Sequence, residues 1–222
     1  KTMHTAIVAF VLSGEVFHAP FIDLHPGFTL TKVVERHAEK SKERYPEVEV
    51  VKGFEEVVRD SGIELVVICT PNTCHFEMAK ACLEAGKHVV VEKPFMPTSE
   101  EAAEIIRLAN DNDRRVFVYQ NRRWDGDFLT IQKILSAGIL GDVQYYEAHF
   151  DRYSPERKRA AWRDEQLPGS GILYDLGSHL IDQAVCLFGR PSSIKADIQS
   201  QREGGLVDDY FEVTLAYKQM TA

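Results

Sequence analysis

Three short stretches of the sequence carry the residue types of a chemical site. Glu92-Lys93-Pro94 closes the apolar run His88 to Val91, and Thr70-Pro71-Asn72-Thr73-Cys74-His75 follows the run Leu65 to Cys69. Asp175 and His179 stand four residues apart in the long apolar pattern Ile172 to Phe188, so they share one helical face. Continuous apolar runs of this length suit strands covered on both faces. The carboxyl ends of such strands are where open α/β sheets bind ligands. A proline after Lys93 holds that lysine extended at the strand end. Each piece alone has a bland explanation, since an EKP tripeptide is weak and an Asp–His pair is ordinary on a surface helix. Together, in this order, they describe a site that offers an ammonium, a carboxylate and an imidazole, groups that hold polar ligands and exchange protons.

A second chemistry, dinucleotide binding, is written at the start of the chain. It needs a strand, a glycine turn, and a helix whose N-terminus faces the pyrophosphate. In the GxGxxG register the chain reads Ala9-Phe10-Val11-Leu12-Ser13-Gly14, and only the last glycine is present. Gly14 permits close helix–strand packing. Ala9 is a mild loss. Val11 is a serious one, because a β-branched residue fills space and disfavours φ > 0 where backbone should approach phosphate. The context argues the other way. The turn follows the first strand and opens a helix, and Glu35 ends the second strand 21 residues after Gly14, close to the spacing of about 20 expected for the ribose carboxylate. Glu35 can accept hydrogen bonds from both ribose hydroxyls of NAD, whereas Arg36 can pair with the 2′-phosphate of NADP. The plain alternative is a solvated strand-end charge pair. Phe10, Leu12, Ser13 and Gly14 are the cofactor candidates of the turn. His18 either approaches the phosphates or is a packed, hydrogen-bonded histidine.

These residues need a framework. Thr5–Phe10, Phe28–Val34, Val48–Val51, Leu65–Cys69, His88–Val91 and Val116–Tyr119 read as strands. Gly14–Leu24, Ala38–Tyr45, Phe54–Arg59, His75–Ala85 and Ser99–Asn110 read as helices, the last capped by Thr98 or Ser99. The alternation predicts an α/β fold, a Rossmann-type doubly wound parallel sheet over residues 1–121. After it the pattern changes. Asp127–Ser136 and Ile172–Phe188 are helical, Asp142–Tyr153 is a long alternating strand, and Ser193–Arg202 and Val207–Tyr217 are two strands with no helix between them. Residues 122–222 are therefore expected to form an α+β domain with a mixed or antiparallel sheet, serving substrate binding and oligomerisation, and to be incomplete.

The chain has 222 residues, 44% hydrophobic, and a formal charge of −8. No basic stripe suggests nucleic acid, and no apolar stretch reaches the ~20 residues of a membrane span. No signal peptide is visible, and none of the four cysteines lies in a CxxC or zinc-finger spacing. Reduced thiols, no metal site and a cytoplasmic location are the expectations.

The glycine turn leading into Val16-Phe17-His18-Ala19-Pro20, then Thr70-Pro71-Asn72-x-x-His75, Glu92-Lys93-Pro94, Tyr119-Gln120-Asn121-Arg122-Arg123-Trp124-Asp125 and Asp175-Leu176-Gly177-Ser178-His179-Leu180-Ile181-Asp182, resembles the Gfo/Idh/MocA oxidoreductases. The resemblance is nearest to the branch containing scyllo-inositol dehydrogenases and runs from about Thr5 to Tyr217. It implies hydride transfer between nicotinamide and a hydroxyl-bearing carbon of a sugar or polyol. By motif match Lys93, Asp175 and His179 would be catalytic. His179 would take the hydroxyl proton, Lys93 would bind the reacting oxygen and stabilise developing charge, and Asp175 would orient the substrate. Thr70, Pro71, Asn72, His75, Glu92 and Gln120 would line the cofactor, and Trp162-Arg163 would close over its nicotinamide end. Arg152 and Tyr153 would contact the polyol. No metal is needed, since lysine can act as the electrophile.

NAD is favoured over NADP, because Glu35 would repel a 2′-phosphate. The resemblance also implies a homo-oligomer through the second-domain sheet. The aromatic stripe Tyr145, Tyr146, Phe150 and Tyr153 reads, from its alternation, as sheet packing and a subunit interface. Two departures matter: Val11, and a chain that stops inside a strand pattern whereas family members are longer. Val11 keeps open an alternative, a fold-retaining binding or regulatory homologue with weakened cofactor binding. A related sugar chemistry, such as aldose–aldose exchange, is the third reading.

Overall fold

The computed structural model describes residues 2–155 and 166–222. The chain divides into two compact units, one ending at Tyr119 and the other beginning at Gln120.

The first unit is a six-stranded parallel sheet in the order β3-β2-β1-β4-β5-β6. Its strands are β1 (Met3–Val8), β2 (Phe28–Val34), β3 (Glu49–Val51), β4 (Leu65–Ile68), β5 (His88–Val91) and β6 (Val116–Val118). Helices α1 (Ala19–Leu24), α2 (Ser41–Arg44), α3 (Phe54–Arg59), α4 (His75–Glu84) and α5 (Ser99–Asp111) make the crossovers. Strand period explains the two cores. Ala6, Val8, Val66, Ile68, Val89 and Val91 pack on one face, while Ile7, Val33 and Val67 pack on the other. All four residues of β4 are buried, as a strand covered on both faces requires. The winding reverses between β1 and β4, which creates the switch point where such sheets bind ligands. The doubly wound expectation is met.

Two helices depart from regularity. The predicted helix Gly14–Leu24 is a π-helical turn, Ser13–His18, followed by α1. The predicted helix Ala38–Tyr45 shrinks to the single turn of α2. There the Glu35 carboxylate takes the backbone N–H groups of Lys40 and Ser41, each at 2.9 Å, and so folds the intervening chain into a loop. Helix α5 is capped by Thr98, whose hydroxyl oxygen accepts from the Glu101 N–H at 3.2 Å.

The second unit contains α6 (Gly126–Ser136), a π-helical turn Leu173–Gly177 running into α7 (Ser178–Phe188), and an antiparallel pair, β7 (Ser193–Gln199) with β8 (Tyr210–Ala216). The strand predicted over Asp142–Tyr153 is absent; a bridge from Tyr145 to Thr221 is its pairing among the described residues. Alternation specifies the two faces of a strand, but a ladder also needs a neighbour.

Gly14 is required by close approach. A Cβ there would lie 2.7 Å from the Ala9 carbonyl oxygen and 3.1 Å from Ile7 Cγ2. Gly14→Ala is expected to cost about 1–3 kcal/mol through overpacking against backbone, read as a lower urea midpoint with an unchanged m-value.

Candidate active site

The carboxyl edge of the parallel sheet is built by one repeated backbone device. The residue after each of four strands donates its N–H to the last carbonyl of a neighbouring strand. These bonds are Glu35 to Val51 (3.0 Å), Cys69 to Val8 (2.9 Å), Glu92 to Ile68 (3.1 Å) and Tyr119 to Val91 (2.9 Å). Four polar or sulfur-bearing side chains are thereby fixed along one rim, beside the turn that leaves β1.

That turn keeps its shape without its first two glycines. Ala9 takes the left-handed conformation, φ 72°, in the place of the first. Val11 is not among the positive-φ residues, and its side chain is 54% exposed, pointing away from the core. Leu12 is exposed and Ser13 half-buried. Phe10 meets Tyr45 edge-on, with ring centroids 6.4 Å apart. The steric objection raised by Val11 is not realised in this conformation.

Glu35 is 7% exposed, and its carboxylate is committed inside its own loop. One oxygen accepts from Lys40 N–H; the other accepts from Ser41 N–H and from the Ser41 hydroxyl. Arg36, next to it, is exposed.

The loops after β4 and β5 are joined by His75, which is 1% exposed. One ring nitrogen faces the Thr70 carbonyl at 3.0 Å; the other faces the carbonyls of Pro94 and Phe95 at 3.1 and 3.0 Å. Burial holds this imidazole below its ordinary range, against the pull of those carbonyls. His75 is thus a brace between the two motif loops. Asn72 is buried beside it, Thr70 lies against Met78 (Oγ1–Sδ 3.6 Å), and Pro71 is exposed. Lys93 is half-buried and precedes a cis proline. Its N–H donates to Glu92 Oε2 at 3.2 Å, while Glu92 Oε1 lies 2.8 Å from His18 Nε2.

Folding also gathers donors that no spacing revealed, with ligand atoms of His18, Cys69 and Glu92 all within 4.8 Å of one another. The His18–Glu92 separation is a hydrogen-bond distance. Burial and the Glu92 charge push the Cys69 thiol up, whereas metal ligation needs a thiolate. The group is best described as a His–Glu pair beside a protonated thiol.

In the second unit, Asp175 lies in the π-helical turn and His179 in the first turn of α7, buried. Asp208 fixes where this helix starts. Its carboxylate accepts from Leu173 N–H at 2.7 Å and its carbonyl from Ile172 N–H at 3.0 Å. Gly171, at φ 91°, leaves room for that carboxylate. Arg123 forks onto Asp182 (2.8 and 2.6 Å), and Gln183 donates to the Arg122 carbonyl at 3.1 Å. Two of the family-like motifs are therefore bolted together within this unit. Gln120 is half-buried, and Arg152 and Tyr153 are exposed. Of the aromatic stripe, Tyr146 packs on Phe188 at 5.3 Å, while Tyr145 is exposed. Trp162 and Arg163 lie outside the described residues.

Ser41, Tyr119 and Asp208 carry no signal of a role in the motifs. Of the two readings of His18, the packed, hydrogen-bonded one is realised, with a partner that stands 74 positions away, beyond any local pattern.

The comparisons agree with this architecture. Residues 3–120 match the family model GFO_IDH_MocA, "Oxidoreductase family, NAD-binding Rossmann fold", and residues 128–222 match "GFO/IDH/MocA C-terminal domain". The chain belongs to the Gfo/Idh/MocA family. It is 43% identical over 221 residues to scyllo-inositol 2-dehydrogenase (NADP(+)) IolW of Bacillus subtilis, covering 100% of this chain and 62% of that one. It is 45% identical to the Escherichia coli oxidoreductase YdgJ, covering 98% and 62%. The solved structure of the oxidoreductase yvaA from Bacillus subtilis superposes with a TM-score of 0.95 at 42% identity, covering 100% of this chain and 63% of that one. The chain thus spans about three fifths of the length of these relatives. Among the described residues no helix is long and apolar enough to cross a membrane.

The pKa of His75 has a measurable consequence. Its folded-state value lies below the ordinary 6.5, so its contribution to stability is complete above 6.5 and is lost as pH falls through the folded value. His88 is shifted the same way, by burial and then by Arg114 and Arg115. Unfolding free energy is expected to decline from pH 7 to pH 5, and His75→Gln to flatten that decline.

Proposed function

We propose that the protein is an NADP(H)-dependent dehydrogenase of a sugar or polyol, inositol-like in its display of ring hydroxyls. The observation that carries the reading is the shared rim. The Ala9–Gly14 turn, the Thr70–His75 loop and Glu92-Lys93 follow β1, β4 and β5, three adjacent strands at the switch point of the sheet. The turn fits a dinucleotide. It retains a left-handed residue at Ala9, an outward Val11, and a Gly14 cradle that a Cβ would fill.

The geometry of Glu35 moves the cofactor preference from NAD to NADP. A carboxylate that accepts three hydrogen bonds from Lys40 and Ser41 has little capacity left for ribose hydroxyls. Its exposed neighbour Arg36 is suited to bind a 2′-phosphate as a fork. The name of IolW, an NADP(+) enzyme, points in the same direction.

A bound nicotinamide supplies hydride transfer to or from a carbon that bears a hydroxyl. The chain's residues supply the rest. Lys93 binds the reacting oxygen and stabilises its developing negative charge. His179 takes the hydroxyl proton, and Asp175 holds a substrate hydroxyl and orients the group. Thr70, Pro71, Asn72, Glu92 and Gln120 line the cofactor, with His75 bracing the loops that carry them. Phe10, Leu12, Ser13 and Gly14 receive the pyrophosphate. Arg152 and Tyr153 contact the substrate, and Trp162 and Arg163 close over the nicotinamide end of the cofactor. The first unit serves chiefly the cofactor, with Lys93 reaching the substrate, and the second serves chiefly the substrate and a homo-oligomer through its sheet. A cytoplasmic location, where the cofactor is abundant, completes the proposal.

Titration followed by nicotinamide fluorescence tests the cofactor half. Arg36→Ala is expected to weaken NADPH roughly 10- to 100-fold, the worth of a lost charge-assisted contact, and to leave NADH nearly unchanged. Equal weakening of both, or of neither, would remove Arg36 from the site. Assay of scyllo-inositol and related polyols tests the chemical half: Lys93→Ala should abolish turnover while retaining NADPH binding.

A further inference from the structure

His18 is not placed to meet a ligand. It is the last residue of the π-helical turn, is 5% exposed, and directs Nε2 at Glu92 Oε1, 2.8 Å away. The other oxygen of the same carboxylate accepts the backbone N–H of Lys93 at 3.2 Å. One carboxylate therefore joins the first helix to the backbone of the lysine. The imidazole itself is held. Its ring lies against the Tyr119 ring, with centroids 4.0 Å apart and planes at 47°, and the Tyr119 hydroxyl donates to the Phe17 carbonyl at 2.8 Å. Tyr119 is tied in turn to the end of β5 through its own N–H on Val91. The circuit closes through side chains from three elements: the π-helical turn, the residue after β5 and the residue after β6.

We propose that His18 is a positioning residue for Lys93, acting through Glu92; the role in turnover rests on the dehydrogenase reading above. The physical reason is the location of a carboxylate immediately before the lysine. The Glu92 side chain is only 13% exposed, so its oxygens must be satisfied by protein donors. The imidazole N–H engages Oε1 and keeps that oxygen turned toward the first helix. Without it the carboxylate loses a donor on one side, and the neighbouring Lys93 ammonium is the cation best able to replace it. An ammonium drawn onto Glu92 is displaced from the reacting oxygen, and displacements near 1 Å are enough to cost about 100-fold in rate. His18 thus sets where the lysine's charge is spent without touching substrate.

The test uses the whole enzyme and three variants. His18→Phe retains a ring against Tyr119 but has no donor; His18→Gln restores an N–H; Glu92→Gln removes the carboxylate charge. We expect His18→Phe to lower kcat about 10- to 100-fold with NADPH affinity within about threefold of wild type, and His18→Gln to recover most of the loss. In the Glu92→Gln background, His18→Phe should add little, because the two residues act in one chain. A loss that Gln does not rescue, or that is undiminished in the Glu92→Gln background, overturns the proposal. Hydrogen exchange at the Lys93 amide gives a readout that needs no turnover: protection should fall in His18→Phe and return in His18→Gln. Should wild type turn over no polyol, the dehydrogenase reading fails by itself, and the exchange data alone decide whether His18 governs the Lys93 backbone. Unchanged protection in His18→Phe would overturn the proposal in that case too.

Discussion

The ladder between β1 and β4 is the constraint on which the site depends. Thr5 to Val8 pairs in parallel with Leu65 to Ile68, and Leu65 to Ile68 pairs in turn with His88 to Val91. Because these strands are parallel, their carboxyl ends emerge together. Because both faces are sealed by apolar cores, chemistry is confined to that edge. A one-residue slip between β4 and β5 would exchange the two faces of the strand. It would also break the N–H bond that seats Glu92 on Ile68, and with it the placement of Lys93. The register of a short buried ladder thus sets where the lysine begins.

Two carboxylates at this edge show how environment divides labour. Glu35 and Glu92 both follow a strand and both anchor by a backbone N–H. Glu35 spends its oxygens on the loop that follows it, shaping the chain between β2 and α2 and leaving Arg36 as the outward charge. Glu92 divides its oxygens between a distant helix and its own neighbour, and so couples elements 74 positions apart. Neither is a free anion waiting for a ligand. Buried charge here serves first to fix backbone, and the ligand-binding groups are those the fixed backbone leaves turned outward.

Much of this was legible in residue order. Apolar runs such as Leu65–Cys69 and His88–Val91 announced buried strands, and the alternation with amphipathic segments announced the winding. The motif set announced the family. What stayed hidden depended on neighbours distant in sequence or on local hydrogen bonding. The helix expected over Ala38–Tyr45 lost its first part to the Glu35 carboxylate, a competitor that propensity does not register. The strand expected over Asp142–Tyr153 had the right alternation but meets a single bridge partner among the described residues. The π-helical turns at Ser13–His18 and Leu173–Gly177 look like ordinary helix by hydrophobic period. Val11 occupies a glycine position of the motif, but the residue that takes the left-handed conformation is Ala9, at the first glycine position, and Val11 is exposed.

The most direct test is a crystal structure of the full-length polypeptide grown with NADPH. The account predicts pyrophosphate density over the Ala9–Gly14 turn, the 2′-phosphate on Arg36, and nicotinamide C4 with Lys93 Nζ and the His179 ring around one space for a substrate carbon, at near-attack separations of about 3–3.5 Å. A dinucleotide bound elsewhere, or a lysine and imidazole that do not face the same side of the nicotinamide, would contradict it.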